Sequence, residues 1–495
     1  MVCGTSGAGA RRLLLRGLAL LATCSFAAFA APAAAPKGSA RVGGDWLRFG
    51  YDSGRGGVGP ARTGITAANV RKLVRTRVSL DAAVDSSPVY LRGAVVKGKL
   101  HDVFIATTAY GQVVAIDANS HRVLWRFTPP RYATWAGTYR ITTASPAVEQ
   151  SAKFAYSAAP NGFVYKLRVA TGAAVRTGGW PVRITRSPAF EKLSSPLNIT
   201  KNLLLAATSS FHDAGDYQGH VVIIDLRSAR VLRVWNALCG KTRRLLIPSA
   251  CPWSGAGIWA REGVIVQPRT GDLIFSTGNG VWDGITYWSN SVIVLSPDGR
   301  RTIGSWTPAD WPKLAANDQD IGSTAPALLS SSIAVQGGKD GKLRLLSLPF
   351  IKRKRPRVLG GELQTLPGPG GGLFSAPAVW KSGGTTWMFV ATTSRLAAYT
   401  FTGRKLLLRW NDPVPGPTLG TSPVVAGGLL YVNNVANNTL DVYGPKTGEL
   451  IVSLPAGQGH WNTPIVTDGR IALGEGDAND QLTTGALDIY SLPKR

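Results

Sequence analysis

The sequence predicts an all-β protein: an eight-bladed β-propeller with four-stranded blades, closed by its own N-terminal strand. Three observations carry that expectation. The chain of 495 residues is 44% hydrophobic and only 17% charged, with 58 Gly and 31 Pro, so it can bury a large core and is dense in turns. A short motif recurs eight times along it. Each end of the chain lacks a strand that the other end supplies.

The motif is a small residue, then Pro or its equivalent, then an apolar run. It occurs as Ser87-Pro88-Val89, Ser145-Pro146-Ala147, Ser195-Pro196-Leu197, Gly257-Ile258-Trp259, Ala325-Pro326-Ala327, Ala376-Pro377-Ala378, Ser422-Pro423-Val424 and Thr463-Pro464-Ile465. The central residues lie 41–68 positions apart, room for four short strands and their loops. Pro suits the first residue of a strand, where no ladder donor is lost.

Inside a unit the clearest copy runs Gly111 to Asp117, a polar turn Ala118 to His121, then Arg122 to Trp125. It predicts two strands around a turn, with the closing Trp wedged against the next unit. His220 to Trp235, Ser291 to Trp306 and Thr439 to Leu454 repeat the pattern. The last unit runs out after Gly485 to Tyr490, whereas Lys72 to Leu80 is an extra strand ahead of the first. Pairing the two would remove two open sheet edges.

Residues 1–30 have the pattern of an export signal: Arg11, Arg12 and Arg16, an apolar stretch from Gly17 to Phe29, and a small-x-small site at Ala28-Phe29-Ala30. The paired Arg fits a twin-arginine as well as a general secretory signal. Residues 31–44 are expected to be a flexible mature N-terminus and 45–495 the propeller. Cleavage removes Cys3 and Cys24, which leaves Cys239 and Cys251 to form one disulfide in an oxidising compartment. His212 and His220 with Asp213 and Asp216 are the densest set of metal-ligating residue types, in a Gly-rich loop that does not require a metal.

The net charge is +27, spread along the chain, with its densest run at Lys352-Arg353-Lys354-Arg355-Pro356-Arg357. No aromatic-interleaved basic motif points to nucleic acid, and no transmembrane segment remains after cleavage. The expected partners are an envelope protein, a glycan or an anionic wall polymer, and the expected state is a monomer.

The repeats, Ala115-Ile116-Asp117 through Trp125 especially, resemble the tryptophan-docking repeats of the pyrroloquinoline quinone propeller family. Asp45-Trp46-Leu47-Arg48-Phe49-Gly50 with Asp52 resembles the entry segment of its secreted members. Gly255 to Trp259 and Gly278-Asn279-Gly280 further resemble the quinone-dependent alcohol dehydrogenases. That resemblance implies a quinone held through calcium by a Glu and an Asn, an Asp as general base, an aromatic platform, a cation on the quinone oxygens, and adjacent cysteines. Asn279 matches the Asn, Trp259 the platform and Lys339 the cation. The Glu position falls on Ala214 and the base position on Ile285, with Asp283 as a substitute base; adjacent cysteines are absent. Two functions follow as expectations. The first is a non-catalytic binding or scaffold propeller of the envelope that needs no cofactor. The alternative is a divergent alcohol or sugar dehydrogenase using pyrroloquinoline quinone and calcium.

Overall fold

The computed structural model describes residues 43–353, 358–413 and 421–493. The export segment and Lys354 to Arg357 of the basic run lie outside them. Eight antiparallel four-stranded sheets form the blades of a propeller. Their innermost strands are Val89–Val96, Ala147–Val148, Asn198–Thr200, Ile265–Val266, Ala327–Leu328, Ala378–Ser382, Val424–Ala426 and Ile465–Thr467. Seven follow the motif read from the sequence. The fourth corrects it: the strand of blade four opens at Ile265, after Arg261-Glu262-Gly263-Val264, and Gly257-Ile258-Trp259 is a loop before it.

Closure is as expected. The strand Val74–Leu80 pairs antiparallel with Gly485–Ser491 over its whole length, from Val74 opposite Ser491 to Leu80 opposite Gly485. The first strand of the chain thus becomes the outer strand of blade eight. Blade four hides its own outer edge, because Val358–Leu359 returns from blade five and pairs parallel with Trp306 and Thr307.

The core is a series of slabs between neighbouring blades. Alternating side chains of each strand face opposite neighbours, so strands such as Val113–Asp117 are buried throughout. Trp125 closes one slab: its indole N–H donates to Val169 O at 2.7 Å in the next blade. Its ring lies flat on Gly172, where an added Cβ would come within 2.6 Å of it. Trp410 repeats the contact with Pro445 O at 3.0 Å and with Gly448. Gly172 and Gly448 have φ of +72° and +75°, which glycine adopts freely.

Small polar residues tie the blades together around the axis. Ser87 N–H donates to Ser145 Oγ at 2.8 Å, Thr143 Oγ1 to Ser194 O at 3.1 Å, and Ala376 N–H to Ser422 Oγ at 2.8 Å. Blade four, lacking the small-Pro motif, uses Glu262: its buried carboxylate accepts from Thr324 Oγ1 at 2.8 Å and Ala325 N–H at 3.0 Å.

The entry segment crosses one end of the axis. Trp46 exchanges both backbone hydrogen bonds with Tyr90 of blade one, Val148 N–H of blade two donates to Leu47 O, and Val266 N–H of blade four donates to Ser53 O. Val379 N–H of blade six donates to Gly56 O and Val425 N–H of blade seven to Gly57 O. Arg55, buried, donates to Leu197 O at 2.7 Å and stands 5.7 Å from the Phe49 ring. Arg261 stands 5.6 Å from that ring. The segment therefore stops the axial channel at this end and leaves a cup open at the other.

Candidate functional site

Three elements build the cup. The loops ahead of the innermost strands bring Arg261, Ser323, Phe374 and Trp461 to the axis. The two-stranded antiparallel ribbon of Glu191–Lys192 with Ser209–Ser210 adds Lys192. Its neighbours Phe211 to Asp213, with Trp259 and Lys339, complete the wall around a cavity of about 210 Å³. Phe211, Trp259, Phe374 and Trp461, the cations Lys192, Arg261 and Lys339, and also His212 and Asp213 face one space.

Trp259 holds its place by close packing on glycine. Its ring lies where a Cβ on Gly257 or Gly278 would sit, at 2.7 and 3.0 Å from the indole nitrogen. Tyr217 meets it edge-on at 6.3 Å. The glycine-flanked Asn279 is thus explained locally: Gly278 makes room for Trp259, and Asn279 O accepts from Ala256 N–H at 2.5 Å.

Asn279 and Lys339 are brought together, with two carboxylates the sequence reading passed over. Asn279 Nδ2 donates to Asp318 Oδ1 at 2.6 Å. Lys339 Nζ reaches the same oxygen at 2.6 Å and Asp320 Oδ2 at 2.8 Å. Burial holds the Asp320 carboxyl above the usual range against the pull of Lys339. Burial alone would lower the Lys339 ammonium, but Asp320 and Asp318 raise it. Lys339 and Trp259 line the cup; Asn279 lies behind them.

The other sequence candidates are dispersed. Ile285 is 48% exposed and Ala214 lies in an exposed loop. Asp283 Oδ1 accepts backbone N–H groups of Ile285, Thr286 and Tyr287 at 2.7, 2.7 and 2.8 Å, the geometry of a turn-forming Asp. His220 is buried in blade three, its Nε2 2.8 Å from Glu191, whereas His212 is on the cup. Asp213 is taken by Tyr217 and Ser210, so His212, His220, Asp213 and Asp216 do not converge on a metal. Cys239 and Cys251 are disulfide-bonded with Cα atoms 6.1 Å apart, in the loop leading to Trp259. Lys352, from the basic run, is committed to Asp272 of blade four.

Lys192 and Arg261 were missed. Lys192 is 4% exposed and makes no hydrogen bond or ion pair with any described residue; its ammonium stands 5.0 Å from the Trp461 ring. Burial pushes it down to about 8. Arg261 is lowered to about 10 by burial. Its guanidinium donates to Thr143 O at 3.0 Å and Ser194 O at 3.1 Å and stands 5.8 Å from the same Trp461 ring.

A quinone–calcium pair fits these residues poorly. Asn279 Oδ1 is buried without a hydrogen-bond partner and is one oxygen a calcium could use. The two nearest carboxylates, however, already share the Lys339 ammonium, and calcium wants six or more oxygens. Among the described residues, the group of metal-ligating type that converges is Asp85, His460 and Asp477. Asp85 there is held low, with His460 and Arg261 outweighing its burial. The cavity is also smaller than the roughly 300–1,000 Å³ of drug-sized ligand sites.

No family model matches the sequence, and no curated protein is similar to it in sequence. The fold has solved counterparts. The quinohemoprotein alcohol dehydrogenase of Comamonas testosteroni superposes with a TM-score of 0.68 at 14% identity, over 91% of this chain and 81% of that one. A europium-containing methanol dehydrogenase gives 0.69 at 13% identity, over 91% and 98%. The alcohol dehydrogenase ADHIIG of Pseudomonas putida HK5 gives 0.67 at 14%, over 91% and 80%. The chain thus has the eight-bladed fold of the quinoprotein dehydrogenases. At these identities the likeness extends to the fold alone.

Proposed function

We propose that this chain is an exported binding propeller of the cell envelope. In this reading its axial cup takes a small ligand bearing a carboxylate on a flat or ring-shaped body. The observation that carries it is Lys192, a buried cation with no hydrogen bond or ion pair to a described residue, facing a cavity lined by Phe211, Trp259, Phe374 and Trp461. Asp85 and Asp477 offset the burial of this ammonium only in part, so an anion in the cavity is held by it, and aromatic faces hold the ring. Arg261 and Lys339 supply further positive charge. Such a group could belong to a free molecule or to the end of an anionic glycan or wall polymer. The signal-like residues 1–30 and the disulfide support export. No described helix is long and apolar enough to cross a membrane.

The test is a thermal-shift series with benzoate, glucuronate and an acidic oligosaccharide. Stabilisation by the free acids supports the cup as the site; stabilisation by the oligosaccharide alone assigns the ligand to a polymer. A second reading, quinone-dependent oxidation, is favoured by the unpartnered Oδ1 of Asn279, whose Nδ2 donates to Asp318. It requires pyrroloquinoline quinone with calcium to restore alcohol oxidation that is lost in Asn279→Ala. Background turnover after reconstitution is the outcome the binding reading expects.

A further inference from the structure

We propose that Lys192 is a nucleophilic amine that holds a small 2-oxo acid or aldehyde in the axial cup as an imine. The inference rests on the cup being the ligand site and goes beyond it by naming a covalent bond.

Geometry comes first. In this two-stranded ribbon Glu191 pairs with Ser210 and Lys192 with Ser209, so the two side chains point to opposite faces. Glu191 turns into blade three, where it meets His220 Nε2 at 2.8 Å and accepts from Gln218 N–H at 3.1 Å. Lys192 turns to the axis. The ribbon is anchored by its acid and leaves its amine without a hydrogen bond.

The charged groups around Lys192 are engaged elsewhere. Asp85 accepts from Trp461 N–H at 2.7 Å and Ala478 N–H at 3.1 Å, and lies 3.1 Å from His460 Nδ1. Asp477 is 3.2 Å from the same nitrogen. Arg261 is spent on backbone carbonyls. Burial lowers the Lys192 ammonium, Asp85 and Asp477 oppose that, and Arg261 adds to it, leaving it at about 8. Roughly a tenth of the amine is then free near pH 7, against fewer than about one in a thousand for an ordinary lysine. Desolvation beside another cation is a known way to activate a lysine for carbonyl chemistry.

The step is a condensation. The free amine of Lys192 attacks the carbonyl carbon, a nitrogen–carbon bond forms, and the carbonyl oxygen becomes the hydroxyl of a carbinolamine. That hydroxyl leaves as water as the carbon–nitrogen double bond forms. One water is released and nothing is oxidised or reduced. Arg261 and Lys339 line the same cavity and, though each already has partners, add the positive charge that the carboxylate of a 2-oxo acid would meet.

The experiment uses the full exported chain with pyruvate and sodium borohydride, which delivers hydride to an imine carbon and fixes the adduct as a secondary amine. Peptide mass mapping should place one carboxyethyl group on Lys192 at least about tenfold ahead of any other lysine. The adduct should be absent in Lys192→Arg and slowed by benzoate, which fills the cup but forms no imine. Calorimetric binding of pyruvate without an adduct at Lys192, or labelling spread evenly over the lysines, overturns the imine and leaves the carboxylate site standing. If neither pyruvate nor benzoate binds, both fall.

Discussion

Arg75, on the first strand of the ring, places its guanidinium nitrogen 2.8 Å from a carboxylate oxygen of Asp488 on the last. Arg77 adds a contact at 2.9 Å to Glu475, which Arg75 also reaches. Asp488 is fully buried, and burial raises its carboxyl to about 7. Arg75→Ala would leave that acid without its cation at a cost of about 2–4 kcal/mol. Chemical denaturation at pH 8, where Asp488 is charged, measures it. Deleting residues 43–80 removes the closing strand and should abolish the cooperative melt; an unchanged melting temperature would show that the strand does not close the ring.

Glu262 makes stability depend on pH. Its folded carboxyl sits at about 7, raised by burial from an ordinary 4.5 against the hydrogen bonds of Ala325 and Thr324. The folded state therefore holds the proton more tightly than the unfolded one. This contribution is complete below about 4.5 and is lost as pH rises through about 7, a swing on the order of 3 kcal/mol. Glu262→Gln should gain on the wild type by about 2–3 kcal/mol between about pH 5 and about pH 8, measured by urea unfolding. Parallel profiles would mean that Glu262 is charged without penalty.

Lys339 stands between Asp318 and Asp320 in the place a bound cation would take. In Lys339→Ala those two carboxylates and the free Asn279 Oδ1 should accept a divalent ion. Millimolar calcium is then expected to raise the melting temperature of the variant by several degrees and leave the wild type unmoved. Equal responses would count against Lys339 as the internal counter-ion.

The disulfide Cys239–Cys251 spans 12 residues of the loop that leads to Trp259. Replacing both cysteines by Ser should cost about 3 kcal/mol by chain entropy. It should also weaken ligand binding in the cup, because Gly255 to Trp259 lose their anchor. Mass spectrometry of the exported chain should find no free thiol.

The blades were legible because each needs a small residue and an apolar run where strands meet at the axis, and Pro marks the spot. Blade four was misplaced because Val264 stands where the other blades have Pro and Glu262 where Ser86, Thr324 and Ser375 stand, and only a folded ring shows Glu262 reaching Thr324. The cup was half legible. Trp259, Asn279 and Lys339 stand in glycine-rich motifs that can be picked out in the sequence; Lys192 and Asp320 do not. One signal was available: three positions before the motif's central Pro stand Ser323, Phe374 and Trp461, and all three line the cup. Repeats conceal such positions because their side chains vary while the backbone does not.

Calorimetric titration with benzoate, on the wild type and on Lys192→Met at pH 7, is the most direct test of the axial cup as an anion site. The account predicts saturable one-to-one binding to the wild type that falls at least about tenfold in the variant, and that weakens in the wild type above about pH 8 as Lys192 loses its charge. Equal affinity in the two proteins, or no binding to either while both remain folded, would contradict it.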